Sequence, residues 1–214
     1  KRNKRVKLEV KFKLHSGIFL KEVQDFKYLG TWLVNSVNDF KIRKAAAWAA
    51  AKNLNRLWRS KILDDKIKFN LFQTLVVSIL LYNAVTWTVN ITLSKLLDSC
   101  YNKLLRYCLN IIWTPDTPNI SNHAIYQKFS IKPISTVLLY RRLTFAGHCY
   151  RSFQSAPQPV MDVLFLKFNN TQNRGNRSNY RKLLCQDTRH DEIQLQNEML
   201  NRTSYRRLVK NITR

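Results

Sequence analysis

The scarcity of glycine and proline is the feature of this sequence that most restricts its fold. The 214 residues include only 4 glycines and 5 prolines, whereas a sheet-rich fold needs many tight turns in which these residues predominate. The sequence therefore favours helices joined by few turns. Because 45% of its residues are hydrophobic, the chain can bury a core, and wholesale disorder is excluded.

The charge of the chain indicates the kind of partner it binds. There are 37 Lys and Arg residues against 13 Asp and Glu residues, which gives a formal net charge of +24 at pH 7. Such an excess destabilises a compact chain by self-repulsion unless a polyanion or an anionic surface neutralises it. We therefore expect nucleic acid as the partner. A membrane surface is disfavoured, because no predicted helix pairs a basic face with a large apolar face exposed to lipid.

Hydropathy patterns divide the chain into four parts. Residues 6–12 alternate apolar and charged side chains, and two more apolar stretches follow at 18–20 and 26–34, a pattern typical of a small β-hairpin segment. The next stretches have helical periodicity, until a polar tract without clear pattern precedes the tail. We therefore divide the chain into a β-rich segment at 1–37, a helical domain at 38–153, a linker at 154–180 and a short helical tail at 181–214.

The first predicted helix begins at an N-cap at Asn38 or Asp39 and continues to about Ser60. Its centre, residues 45–51, is alanine except for Trp48, and alanine has the highest helix propensity. At 100° per residue the helix has an apolar side and an opposite basic side. The apolar side is Ile42, Ala46, Ala50, Leu54 and Leu57, and the basic side is Lys41, Lys44, Lys52, Arg56 and Arg59, with Trp48 among them.

The basic side of this helix has two interpretations. It is either the solvated face of a bundle helix or a surface that contacts nucleic acid. This helix has no acidic residue after Asp39. That absence counts in favour of contact with nucleic acid. Trp48 is compatible either with stacking on a base or sugar or with packing against another helix.

Two more helices are predicted before residue 113. The second begins at a cap formed by Asp64 and Asp65, continues to residue 82, and is apolar on nearly all sides. The third, residues 94–112, is amphipathic. Its apolar side is Leu96, Leu97, Cys100, Tyr101, Leu104, Cys108 and Ile111, and its polar side is Lys95, Ser99, Asn102, Lys103, Arg106 and Asn110.

Helices also follow the proline-containing linker at 114–119. A short one is predicted at 121–129, and a longer one begins at Pro133 and ends near Ser152. The longer helix carries Arg141 and Arg142 amid apolar neighbours, so each must either reach the surface or meet an anion. The tail predicts helices at 191–200 and 204–211, and we interpret the cluster of Arg202, Arg206, Arg207 and Lys210 as a charged terminus rather than a further basic patch.

Acidic, His and Cys residues form no catalytic or metal-binding pattern. The adjacent carboxylates Asp64 and Asp65, like Asp191 and Glu192, lie at expected helix starts, where capping is their expected role. A two-metal polymerase site needs aspartates in a strand-turn-strand, and no acidic pair has that context. The four cysteines show neither CxxC nor His pairing at ligand spacing, so we expect reduced core thiols. The chain is not predicted to be a self-sufficient enzyme.

An ordered series of motifs resembles LINE-type (non-long-terminal-repeat) retrotransposon reverse transcriptases. Residues 21–30, KEVQDFKYLG, are similar to the box that closes the catalytic palm and precedes the helical thumb in that family. Later segments are similar to the same family in the same order, so the resemblance covers almost the whole chain. They are residues 42–45, 57–60, 80–83, 86–87, 104–106, 141–143, 147–148, Arg151, residues 187–188, Met199, Arg202 and residues 205–206.

Some positions depart from the family pattern. Asn83 stands where the family usually has Gly, Val85 stands where it has Glu, and residues 174–177 replace a Gly-Arg-Pro-like stretch. These departures suggest sequence drift. The family's catalytic aspartates lie upstream of the closing box and are absent from this sequence.

The resemblance implies RNA-directed DNA polymerase ancestry and a mainly α fold, a thumb-like helical bundle preceded by a small β-hairpin segment. It also implies that Phe26, Lys27, Tyr28, Leu29 and Gly30 steady the primer end. No cofactor is expected in this chain, because Mg²⁺ is expected only with the missing palm. The expected partners are an RNA-DNA or DNA duplex and an upstream palm domain of the same polyprotein, with no membrane.

We therefore interpret the chain as a non-catalytic C-terminal fragment of such a polymerase that binds template-primer nucleic acid through basic helix faces. The alternative is a degenerate remnant or a scaffold with no nucleic-acid function. An intracellular location is expected, and residues 1–5 (KRNKR) match a nuclear import patch in composition. The candidate nucleic-acid ligands are Lys41, Lys44, Trp48, Lys52, Arg56, Arg59, Lys95, Lys103, Arg106, Arg141 and Arg142.

Overall fold

The computed structural model describes residues 17, 27–28, 31–32, 35–111, 120–152 and 180–214. This part of the chain is mainly helical. A π-helical turn, Gln73–Val77, lies between α3 and α4, and a 3₁₀ turn, Ala84–Thr86, precedes α5. The α-helices are α1 (Ser36–Asn53), α2 (Asn55–Trp58), α3 (Asp65–Phe72), α4 (Ser78–Leu80), α5 (Ile91–Cys108), α6 (Asn122–Phe129), α7 (Ile134–Arg151), α8 (Tyr180–Thr188), α9 (Glu192–Leu200) and α10 (Arg202–Ile212).

Two strands of two residues each precede the helices. They are β1 (Lys27–Tyr28) and β2 (Thr31–Trp32), which pair antiparallel with Lys27 opposite Trp32. The rest of the predicted β-rich segment, apart from Gly17, Asn35 and the first helical residues, lies outside the described residues, so the segment stays a prediction. The linker predicted at 154–180 also lies outside them, except for Tyr180, which begins α8.

The first helix begins earlier than predicted. Asn35 is its N-cap, and the Asn35 Oδ1 accepts a hydrogen bond from the backbone N–H of Asn38 at 2.9 Å. Asp39, one of the two predicted caps, is instead buried in the core, where the indole N–H of Trp87 donates to its Oδ2 at 2.8 Å. The helix also stops at Asn53 and resumes as α2, rather than continuing to Ser60.

The buried side of α1 differs from the predicted apolar side. Phe40, Ala47 and Ala51 are buried, whereas Ile42 is 40% exposed and Ala46 is also exposed. The reason is that alanines lie on both the buried and the exposed sides of this helix, so the spacing of apolar residues does not fix which side is buried. The small alanines at the buried positions allow neighbouring helices to approach closely.

The other predicted helix starts are confirmed more closely. The Asp64 carboxylate caps α3, because its Oδ1 accepts from the N–H of Ile67 at 2.7 Å. Ser121 caps α6 in the same way, and Pro133 immediately precedes α7. The predicted apolar side of α5 is buried at Leu97, Cys100, Tyr101, Leu104 and Cys108, with Leu96 as the exposed exception at 48%.

A larger core lies among α1, α3, α5 and the segments that join them. The Phe72 and Tyr101 rings lie 5.4 Å apart at its centre, and the indole N–H of Trp58 donates to the Ala51 carbonyl at 2.7 Å. Helices α1 and α5 run in the same direction, since Ser36 near the start of α1 hydrogen-bonds Thr88 just before α5. Nearer the other end, Trp48 of α1 packs against Tyr107 of α5.

A smaller core joins α7 to α8, α9 and α10. Its contacts are close because Gly147 on α7 has no side chain: a Cβ there would lie 2.3 Å from the Tyr205 ring of α10. The hydroxyl of Tyr205 donates to the Leu143 carbonyl at 2.8 Å. Helix α7 also contacts α5, where Ser135 donates its N–H and its hydroxyl to the Asp98 carboxylate at 2.9 and 2.7 Å. It therefore connects the two cores.

We expect Trp87→Phe to destabilise the protein by about 1–3 kcal/mol, because it leaves the buried Asp39 carboxylate without its indole donor. The phenyl ring preserves aromatic contact with Phe40. The matched control is Trp48→Phe, since the Trp48 indole N–H has no hydrogen-bond partner within the described part of the chain. Chemical denaturation measures both, and equal losses would contradict the proposed role of the indole donor.

Gly147→Ala should also lower the free energy of unfolding, by about 1–3 kcal/mol, because the added methyl group overlaps the Tyr205 ring. The control is Thr144→Ala on the exposed side of the same helix, where a change within about 0.5 kcal/mol is expected. Denaturation midpoints compare the two variants. An unchanged midpoint for Gly147→Ala would mean that α10 does not pack against α7 as described.

Candidate nucleic-acid interface

The basic side chains predicted on the first helix are exposed in the structure. Three of them lie on α1, Arg56 lies on α2 and Arg59 follows it as the C-cap. None of them forms an ion pair with another residue in the described part of the chain. The only acidic residue between positions 36 and 59 is the buried Asp39, so this surface has no local counter-charge. The exposed cations are Lys41, Lys44, Lys52, Arg56 and Arg59.

Helix α5, which packs against α1 through Trp48 and Tyr107, also carries exposed cations. Burial raises the pKa of the Cys100 thiol, while the charges of Lys44 on α1 and Lys103 on α5 act to lower it. Both ammonium groups therefore lie near the same thiol. Lys95 and Lys103 are exposed, and with the five cations of α1 and α2 they make up what we name the α1–α5 surface.

Carboxylates elsewhere in the described chain are already engaged. Each has an internal partner, either a cation, a hydroxyl, an indole or a backbone N–H, and none forms an ion pair with a cation of the α1–α5 surface. The pairs are Asp39 with Trp87, Asp64 with the Ile67 N–H, Asp65 with Lys128, Asp98 with Ser135, Asp187 with Arg142, Asp191 with the Gln194 N–H, Glu192 with Arg181 and Glu198 with Ser204.

Trp48 packs within the bundle. Its ring is half-buried and lies 5.6 Å from the Tyr107 ring in an edge-on arrangement with an interplanar angle of 63°. The Tyr107 hydroxyl donates to Asn55 Oδ1 at 3.1 Å, which joins α5 to the start of α2. Of the two interpretations of Trp48, the structure favours packing against another helix over stacking on a base.

Arg106 has a local structural role. Its Nη2 donates to the Ile120 carbonyl at 2.6 Å and to Asn122 Oδ1 at 2.8 Å, and its Nε donates to the same Asn122 oxygen at 3.2 Å. These hydrogen bonds join α5 to the start of α6. With its donors used in this way, Arg106 is a weaker candidate for phosphate than the exposed lysines.

Arg142 does not lie on the surface, which corrects its place among the predicted ligands. It is 4% exposed, and its guanidinium forms an ion pair with Asp187 of α8. Burial raises the pKa of the Asp187 carboxyl, and the charge and hydrogen bond of Arg142 partly offset that increase. Arg141 is exposed. Of the two adjacent arginines, one therefore meets an anion and the other reaches the surface.

The predicted primer-positioning segment is described in part. Lys27 and Tyr28 form β1, whereas Phe26, Leu29 and Gly30 lie outside the described residues. The role of the segment stays a prediction.

The tail holds basic residues whose arrangement the sequence interpretation missed. Arg202, Arg206 and Lys210 follow one another at four-residue spacing on α10, and they line a cavity of about 450 Å³ together with Arg151 of α7. The four-residue spacing is the sequence signal that places them on one helix face. The sequence does not indicate that Arg151 of α7 lies across the cavity from these residues, because α7 and α10 are distant along the chain.

No metal-binding cluster of three or more His, Cys, Asp or Glu side chains occurs among the described residues. All four cysteines are unpaired thiols, and burial raises the pKa of Cys108 to about 12, which makes it unreactive as a nucleophile near neutral pH. Within residues 35–111, 120–152 and 180–214, no helix combines the length and the apolar character needed to cross a membrane.

Comparison with known proteins gives a similarity to a mobile-element sequence. The chain is 29% identical over 136 residues to a Caenorhabditis elegans protein described as an uncharacterized transposon-derived protein. The match covers 62% of this chain and 48% of the C. elegans protein, so the chain spans about half the length of that relative. No family model matches the chain, and no solved structure matches it. The similarity is consistent with a transposon origin of this chain.

Proposed function

We propose that this chain is the thumb and post-thumb part of a LINE-type retrotransposon RNA-directed DNA polymerase. Its proposed role is to hold a template-primer duplex through phosphate contacts from the α1–α5 surface. The observation that carries the proposal is the set of exposed cations on α1, α2 and α5 that form no ion pair within the described residues. The two carboxylates of these helices, Asp39 and Asp98, accept hydrogen bonds from Trp87 and Ser135 instead. The similarity to a transposon-derived protein supports the same origin.

Phosphate contact is the chemistry that fits these side chains. Lysine and arginine that neutralise backbone phosphates release condensed counterions, and this release drives binding without reading the base sequence. The parallel packing of α1 on α5 through Trp48 and Tyr107 holds the two rows of cations in a constant relation. Such a surface suits a helical duplex of any sequence, as a polymerase requires.

The bond-making chemistry belongs to another part of the proposed polymerase. A palm segment upstream of this chain would supply the catalytic aspartates and Mg²⁺, and the β1–β2 pair would lie between that palm and the helices. The proposed contribution of this chain is affinity and orientation of the duplex.

The alternative, a degenerate remnant or scaffold, predicts a chain that folds but has no specific affinity for nucleic acid. One departure from the family pattern is compatible with a retained fold. Asn83, which replaces the usual Gly, has a φ of 55°, and Asn is among the non-glycine residues that best tolerate this left-handed region. The turn after α4 therefore does not depend on glycine at this position.

Replacing Lys41, Lys44, Lys52 and Arg59 together by Glu should abolish binding to an RNA-DNA duplex and leave helicity unchanged. For the unmodified chain, log affinity should fall with log salt by about 0.9 for each phosphate contact. Fluorescence anisotropy over a salt series measures the affinity, and circular dichroism measures the helicity.

The matched control is a second fourfold variant, in which four cations outside the α1–α5 surface are replaced by Glu so that the total charge changes by the same amount. Lys61, Lys66, Lys182 and Arg207 are exposed cations outside the α1–α5 surface, and their replacement by Glu should preserve most of the affinity. If the two variants lose affinity equally, the binding is general attraction to a basic protein. If the unmodified chain shows no salt-dependent binding, the remnant or scaffold alternative is correct.

A further inference from the structure

A second basic site lies in the cleft between α7 and α10. The cleft has a volume of about 450 Å³, within the range of pockets that hold small organic ligands and larger than a single inorganic ion needs. Its walls include four cations and the rings of Tyr140 and Tyr205, and no acidic residue is among the side chains that line it in the described structure. The side chains relevant to binding are Tyr140, His148, Arg151, Arg202, Arg206 and Lys210.

Arg151 is held in position at this cleft. Its Nη1 donates to the Met199 carbonyl at 3.0 Å, and its guanidinium carbon lies 6.0 Å from the centre of the Tyr205 ring. Burial, followed by the neighbouring charges of Arg202 and Arg206, lowers the pKa of Arg151. The three guanidinium groups therefore repel one another, and an anion between them relieves that repulsion.

The cleft continues into an adjoining cavity of about 360 Å³. Tyr140 and Lys210 line both cavities, and Lys132 and Arg214 add further cations to the second. Tyr140 is 44% exposed, so part of an aromatic side chain is open to solvent where the two cavities meet. An exposed aromatic ring between cationic groups is the arrangement on which nucleotide bases stack while phosphates are bound beside them.

We propose that the cleft between α7 and α10 binds a nucleotide unit. Arg151, Arg202, Arg206 and Lys210 hold the phosphate, and the base stacks on Tyr140. The site is separate from the α1–α5 surface, because it lies on other helices and is built around the smaller core. Its ligand is either a free nucleotide or one nucleotide of a single strand, which share the same phosphate and base.

The test measures binding of a 5′-phosphorylated oligothymidine hexamer, of adenosine monophosphate and of inorganic phosphate to the full chain. Arg202→Gln with Arg206→Gln should weaken binding of the hexamer roughly tenfold or more, because two charged contacts are lost. The matched control is Arg207→Gln, an exposed arginine of the same helix that does not line the cleft. It should change the affinity by less than about twofold, as expected for a surface charge without a contact.

Tyr140→Ala tests the base. It should weaken binding of the hexamer and of adenosine monophosphate without changing the affinity for inorganic phosphate. If adenosine monophosphate binds as tightly as the hexamer, the ligand is a free nucleotide; if the hexamer alone binds, the ligand is a single strand. If all three probes bind with equal affinity and Tyr140→Ala changes none of these affinities, the cleft is a simple anion site and the proposal is wrong.

Two further variants keep the outcomes distinct. Arg206→Lys retains the charge and should retain most of the affinity, while denaturation midpoints show whether the Gln variants remain folded. The Lys41, Lys44, Lys52 and Arg59 to Glu variant should still bind the hexamer in the cleft. Loss of hexamer binding in that variant, or equal losses for the Arg202 and Arg206 pair and for Arg207, would contradict a separate site.

Discussion

The internal use of carboxylates is the constraint on which the rest of this structure depends. Acidic residues are few, and in the described chain each is used in a helix cap, an ion pair or a hydrogen bond with another side chain. Asp39 is buried, Asp187 pairs with the buried Arg142, and each carboxylate fixes a contact between distant elements. Because the acids are used in this way, the cations of the α1–α5 surface have no ion-pair partner among the described residues, and this is the physical basis of the proposed attraction for polyanions.

Helix α7 links the two proposed binding surfaces through packing. It contacts α5 through the Asp98 and Ser135 hydrogen bonds, and it contacts α10 through Gly147 and Tyr205. The α1–α5 surface belongs to the larger core and the cleft to the smaller one. The two proposed binding sites therefore belong to different cores that α7 joins.

The sequence predicts those parts of the structure that depend on strong local patterns. The sequence predicts the cap at Asp64, the start of a helix near Ser121 and the apolar side of α5, because polar caps and large apolar side chains at helical spacing act locally. Helix α8 was not predicted, and Asp39 was assigned as a cap although it is buried. Both depend on partners elsewhere, Asp187 of α8 on Arg142 and Asp39 on Trp87.

The sequence by itself determined the helical class, the helix order from α1 to α7 and the strong positive charge, since these follow from composition and local spacing. The tertiary structure alone decided which side of α1 is buried, which of two adjacent arginines is internal, and that α10 closes a basic cleft against α7. Alanine buries too little area to orient a helix. The hydrogen bond from Tyr205 to Leu143 joins residues 62 positions apart. Helical periodicity relates only residues within one helix, so it cannot predict a contact at this separation.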